Sequence, residues 1–253
     1  MQHTPSPDLA QLLCERHISA LLLDMDGVIT QTAKLHATAW KRMFDAFLLQ
    51  RGHQDGKAYE PLDIATDYKQ YIDGMPRYDG VRNFLSSRGI SIPDEAPADA
   101  PDTASVVSLG NEKNNYFQEL VQQGGVEVYP DTIAFVKQKL ADGYRVAVIS
   151  ASRNCQTILA AAGVEDLFEV RVDGQLAAEL GLKGKPAPDV FEEAARRLGI
   201  PVTHCAVFED AISGVEAGKA GNFGLVVGID RTNQAKELTE HGADLVLAIF
   251  PTP

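Results

Sequence analysis

Between residues 145 and 248 the sequence alternates short apolar runs with amphipathic stretches, and this alternation restricts the chain to one fold class. Strands are predicted over 145–149, 168–172, 205–208, 224–227 and 243–248, with helices over 154–162, 187–198, 212–220 and 234–240 between them. Strands of near-continuous apolar character between short helices call for a parallel sheet covered on both faces. With the run 18–24 added, the expected architecture is α/β, a doubly wound parallel sheet with a Rossmann-like core.

These runs end in polar groups. Residues 18–23 lead straight into Asp24-Met25-Asp26-Gly27-Val28, Ile149 is followed by Ser150, and Ala206-Val207-Phe208 leads into Glu209-Asp210. Open parallel sheets bind ligands beyond the carboxyl ends of their strands, so these groups are expected in one crevice. Residues i and i+2 of an extended chain point the same way, and two carboxylates about 4 Å apart repel by roughly 4 kcal/mol at an effective dielectric near 20. A metal ion or a shared proton would offset that, whereas the pentapeptide alone also reads as a plain Asp-Gly turn. The segment Lys183-Gly184-Lys185-Pro186-Ala187-Pro188-Asp189 can bring a cation to the same edge.

From about residue 30 to 123 the period becomes helical, with no convincing strand. Trp40, Met43, Phe44 and Phe47 share one helical face, and Trp40 reads as a core anchor. Further helices are predicted over 77–87 and 111–122, joined by a Pro-, Asp- and Ala-rich loop over 92–104 that is expected to be mobile. Gly214, Gly218 and Gly221 fall within or at the end of a helix and read as close packing, not dinucleotide binding. Asp55-Gly56 and Asp173-Gly174 read as turns.

The formal charge of −12 argues against nucleic acid or an anionic membrane as partner, because either needs a concentrated basic surface. No apolar run reaches the eighteen or so residues of a membrane span, residues 1–13 have neither a basic start nor a signal-like apolar stretch, and the expected location is cytoplasmic. Cys14, Cys155 and Cys205 are scattered and odd in number, which fits reduced packing residues better than disulfides or zinc.

The chain resembles the haloacid dehalogenase-like superfamily, and within it the β-phosphoglucomutase-like branch. The resemblance rests on Asp24-Met25-Asp26-Gly27-Val28-Ile29-Thr30, His36 with Trp40, Ser150-Ala151-Ser152-Arg153-Asn154, Gly184-Lys185-Pro186-Ala187-Pro188-Asp189 and Glu209-Asp210. It implies a phosphoryl-transfer core of residues 1–29 and 125–253, with residues 30–124 an inserted helical cap domain that sets substrate specificity and closes through linkers near Thr30 and Gly124-Gly125.

Carried over residue by residue, the resemblance makes Asp24 the nucleophile that becomes an aspartyl phosphate and Asp26 the general acid and base. Asp24, the backbone carbonyl of Asp26, and Asp210 would hold Mg²⁺, with Glu209 a neighbouring carboxylate. Ser150 and Lys185 would bind the transferring phosphoryl group, and His36 would orient Asp26. Arg77, Ser152, Arg153 and Asn154 would contact the second phosphate of a bisphosphorylated sugar.

Two positions depart from the pattern: Gln31, where many relatives are acidic, and Asp73, where mutases typically carry a cap lysine. Asp26 disfavours dehalogenation, which needs no proton carrier, and neither Lys34 nor Lys41 is marked as the imine-forming lysine of phosphonate cleavage. The implied reaction is interconversion of β-glucose 1-phosphate and glucose 6-phosphate through an aspartyl phosphate. A Mg²⁺-dependent phosphatase of small sugar or polyol phosphates is the alternative, and a non-catalytic phosphosugar- or protein-binding member is a third reading. A glycoside phosphorylase is the implied pathway partner.

Overall fold

A computed structural model describes residues 8–96, 100 and 102–251. Its six strands are β1 (Ala20–Asp24), β2 (Arg145–Ile149), β3 (Val170–Val172), β4 (Cys205–Glu209), β5 (Leu225–Ile229) and β6 (Leu245–Leu247). All pair in parallel, in the order β3-β2-β1-β4-β5-β6. The order reverses between β1 and β4, which creates the crevice in which such sheets bind ligands.

The four central strands are mostly apolar because both of their faces are covered. On one face Leu22, Ala147, Ile149 and Val207 pack with Phe191, Ala194 and Leu198 of helix Asp189–Leu198 and with Val215 of helix Ile212–Ala220. On the other, Phe208 meets Phe135 and Phe250, with ring centroids 5.8 and 5.6 Å away. Each large side chain buried this way contributes about 1.5–3 kcal/mol.

The expected α/β sheet is present, with shorter outer strands than the hydropathy suggested: β3 and β6 have three residues each. Asp173-Gly174 is not a simple turn. Asp173 caps helix Gly174–Leu180, its Oδ1 accepting the N–H groups of Gln175 and Leu176 at 3.0 Å each. In helix Asp189–Leu198, Glu193 accepts from Arg196 and Arg197, which hold its carboxyl down at about 2 against the cost of burial. That stabilisation is complete above the ordinary carboxylate range and is lost as pH falls toward 2. Arg196 is largely exposed, so screening limits the effect. Glu193→Gln is expected to cost about 1 kcal/mol at pH 7 and almost nothing near pH 2, read from urea unfolding at both pH values.

The chain divides into two compact units, residues 1–30 with 128–253, and residues 31–127. In the second, helices Ala33–Asp55, Arg77–Ser87 and Val106–Gly124 surround a core of Trp40, Met43, Phe44, Leu62, Phe84 and Leu109, with Phe44 4.2 Å from Phe84 between ring centroids. Gly110 lets two of these helices approach, since a Cβ there would lie 2.8 Å from the Tyr78 ring. Helix Val106–Gly124 starts five residues before the predicted 111. Ser105 and Ser108 cap it reciprocally, and Ser in place of Glu at the fourth position of the box concealed the signal. Within the loop predicted over 92–104, residues 97–99 and 101 lie outside the described residues.

Candidate active site

The turn after β1 is built on the carbonyl of Met25, which accepts the N–H groups of Ile29 and Thr30 at 2.9 Å and the Thr30 hydroxyl at 3.2 Å. Met25, Val28 and Ile29 are buried, so the turn is locked into the core while Asp24 and Asp26 project from it. Gly27 has φ +93°, and a Cβ there would collide with the Asp210 carboxylate. Glycine is therefore required twice, by conformation and by the close approach of Asp210.

Asp24 ends β1, and Glu209 ends β4 with Asp210 following. One ligand oxygen from each of Asp24, Glu209 and Asp210 lies within 4.8 Å of the others. Into this cluster the loop before helix Asp189–Leu198 delivers Lys185, whose Nζ bonds Asp24 Oδ1 and Glu209 Oε1 with its side chain only 2% exposed. Glu209 Oε2 accepts the N–H of Ala211 at 3.0 Å, so both Glu209 oxygens are held by protein donors. Gly214 leaves the room that Glu209 fills.

Burial pushes the Asp24 carboxyl well above its usual range; Lys185 opposes this, while Glu209 and Asp26 reinforce it. For Lys185, burial works against the ammonium, and the two carboxylates more than compensate, so it stays charged. One buried cation facing Asp24, Glu209, Asp210 and nearby Asp26 leaves an excess of negative charge. An oxygen-only donor set with that excess fits a hard divalent cation and does not resemble a zinc site.

Beyond β2, Ser150 Oγ lies 3.3 Å from Asp26 Oδ2 and accepts the N–H of Ser152 at 3.0 Å, while Ser152 Oγ accepts the N–H of Asn154 at 3.1 Å. The segment 150–154 is thus a series of serine turns around the same crevice, with Arg153 between two of its fixed residues. Asp24, Asp26, Ser150, Lys185, Glu209 and Asp210 therefore gather at one sheet edge.

His36 and Arg77 belong to the other unit. Arg77 begins helix Arg77–Ser87 and donates to Asn114 Oδ1 at 2.7 Å. His36 stacks on Phe117 with centroids 3.9 Å apart, and its Nδ1 lies 2.6 Å from the Nζ of buried Lys113. An ammonium only donates, so Nδ1 accepts and the proton of a neutral ring resides on Nε2. The sequence reading missed Lys113. Its signal is a lysine in register with Val106, Leu109 and Phe117 on the buried face of one helix. It gives this unit a buried cation despite Asp73.

A model of the haloacid dehalogenase-like hydrolase family matches residues 18–222. The chain is 47% identical to a β-phosphoglucomutase of Mycobacterium bovis, over 91% of this chain and 89% of that protein. An uncharacterized glycosyl hydrolase of Mycobacterium tuberculosis is 35% identical over 92% of this chain, a match that spans 17% of that larger protein. Among solved structures, the β-phosphoglucomutase of Clostridium difficile superposes with a TM-score of 0.69 at 24% identity, covering 92% of this chain and 91% of that one.

Proposed function

The chain belongs to the haloacid dehalogenase-like hydrolase family, and from that premise we propose that it interconverts β-glucose 1-phosphate and glucose 6-phosphate. The observation that carries this reading is its 47% identity to a β-phosphoglucomutase over nearly the full length of both proteins.

In this reading a carboxylate oxygen of Asp24 attacks the phosphoryl group of a sugar bisphosphate. A bond forms from Asp24 to phosphorus as the bond to the sugar oxygen breaks, and Asp26 gives that oxygen its proton. With the 1-phosphoryl group transferred, glucose 6-phosphate leaves; the 6-hydroxyl of a β-glucose 1-phosphate then attacks phosphorus as Asp26 takes its proton, and the bond to Asp24 breaks, releasing its carboxylate and a new bisphosphate. Lys185 and Ser150 stabilise charge on the transferring group from positions set before reaction. Mg²⁺ bound by Asp24 and Asp210, with the carbonyl of Asp26, would neutralise phosphoryl charge; Glu209 steadies Lys185 beside it. Arg77, Ser152, Arg153 and Asn154 are assigned to the second phosphate, and His36, with its tautomer set by Lys113, to orienting Asp26.

A cytoplasmic setting belongs to this reading, supported by three cysteines that are all free thiols. No helix among the described residues is long and apolar enough to cross a membrane. A glycoside-cleaving phosphorylase is the proposed supplier of substrate. Support comes from the relative whose larger chain, named a glycosyl hydrolase, contains a segment like this protein.

Phosphorus NMR with Mg²⁺, β-glucose 1-phosphate and a trace of glucose 1,6-bisphosphate tests the proposal. Glucose 6-phosphate should grow without free phosphate, and release of inorganic phosphate alone would make the protein a phosphatase instead. Asp26→Asn should slow turnover by about 10²- to 10⁴-fold. Calorimetric Mg²⁺ binding should survive that change, since the Asp26 carboxylate is no part of the acidic cluster; its loss would refute the role given to Asp26.

A further inference from the structure

After β5 the chain runs through a short segment, residues 230–234, that touches none of the proposed reacting groups. It is nevertheless tied down through the side chains of Asp230, Arg231 and Gln234. Asp230 Oδ1 accepts the N–H groups of Thr232 and Gln234, at 3.2 and 2.8 Å. Arg231 donates to Asp131 Oδ2 at 3.0 Å and to the carbonyl of Ala248 at 3.0 Å, with its guanidinium 4.0 Å above the Tyr129 ring. From this braced segment the side chain of Gln234 turns inward, and its Nε2 donates to the backbone carbonyl of Asp210 at 2.5 Å. Gln234 is 6% exposed, so this amide is withdrawn from water and committed to the peptide that carries Asp210.

We propose that Gln234 is a positioning residue for divalent-cation binding, fixing the orientation of Asp210. The inference rests on the reading of Asp24 and Asp210 as ligands. Asp210 follows Glu209, the last residue of β4. Its carboxylate is confined on one side by Gly27, which leaves no room for a Cβ, and its carbonyl is held from the opposite end of the peptide by Gln234. Partners that orient ligands in this way change metal affinity by about 10- to 100-fold when removed. The sequence offers no motif for this role, because it depends on two loops that follow neighbouring strands.

The test is calorimetric titration of the full chain with Mg²⁺, repeated with Mn²⁺ followed by electron paramagnetic resonance. Gln234→Met preserves length and removes the donor, and it should weaken binding by about tenfold or more. Asp230→Ala, which removes the acceptor for the Gln234 backbone N–H and leaves the Gln234 side chain unchanged, should shift affinity in the same direction, while Asp230→Asn, which keeps the acceptor, should stay near the wild type. If Gln234→Met fails to fold, the Asp230 pair decides the question. A purely structural role would lower the melting midpoint in EDTA and leave the affinity of the folded protein unchanged, which would overturn the proposal. Asp210→Asn separates the two layers of inference. Lost binding there with unchanged binding in Gln234→Met refutes the role of Gln234 alone, whereas full binding in Asp210→Asn refutes the metal-site reading and this proposal with it.

Discussion

Asp24→Asn is expected to abolish turnover, by at least about 10⁴-fold, while leaving the protein folded. An amide is a poor nucleophile toward phosphorus, and no neighbouring carboxylate can substitute: Glu209 is tied to Lys185 and Ala211, and Asp26 is engaged with Ser150. The change should not cost stability. Burial and the charges of Glu209 and Asp26 already disfavour an ionised Asp24, and asparagine removes that repulsion while its oxygen still accepts from Lys185. Unfolding free energy should fall within about 1 kcal/mol of the wild type. Product formation by phosphorus NMR and a urea titration check the two halves. Retained turnover would rule out the aspartyl-phosphate mechanism.

Lys185→Met is expected to fail differently. It leaves two buried carboxylates without their cation, and removing one partner of a buried ion pair typically costs about 3–5 kcal/mol. Activity should also fall by about 10²- to 10³-fold, from loss of a fixed donor to the phosphoryl group. The double variant Lys185→Met with Glu209→Gln separates these effects, because it removes the fully buried charge that the single variant strands. It should regain most of the stability and none of the activity. Recovery of turnover would show that Lys185 only offsets charge, whereas failure to regain stability would show that its contact with the Phe191 ring, 5.1 Å from Nζ, matters more than its pairing with the two carboxylates.

The sheet was legible because β1, β2, β4 and β5 are buried on both sides and can only be apolar. β3 and β6 were overextended because Phe168, Ala243 and Ala248 are apolar residues that lie outside the paired positions 170–172 and 245–247. The polar groups at the strand ends were legible by contrast: Asp24, Ser150 and Glu209 are buried, yet they interrupt apolar runs at the carboxyl ends of β1, β2 and β4. Lys113 was hidden because the expectation for that helix began at residue 111, which cut off the residues that define its buried face. Gln234 was hidden for a deeper reason. A side chain whose whole effect is one bond to a backbone carbonyl leaves no pattern in composition or spacing.

The way the chain leaves β1 and returns to β2 bears on the order of folding. Ala20 pairs with Arg145, so zipping these strands together closes a loop on the order of 120 residues. Residues 31–127 carry their own hydrophobic core, and their ends meet, with the N–H of Gln31 donating to the carbonyl of Glu127 at 2.8 Å. Once that segment has collapsed, the remaining open chain is several-fold shorter, and the closure entropy drops by about 1 kcal/mol. During synthesis the whole segment emerges before β2 exists. Vectorial synthesis therefore favours helices first and sheet second, and pulse-labelled hydrogen exchange during refolding should show protection of Phe44 and Phe84 preceding that of Leu22 and Val148.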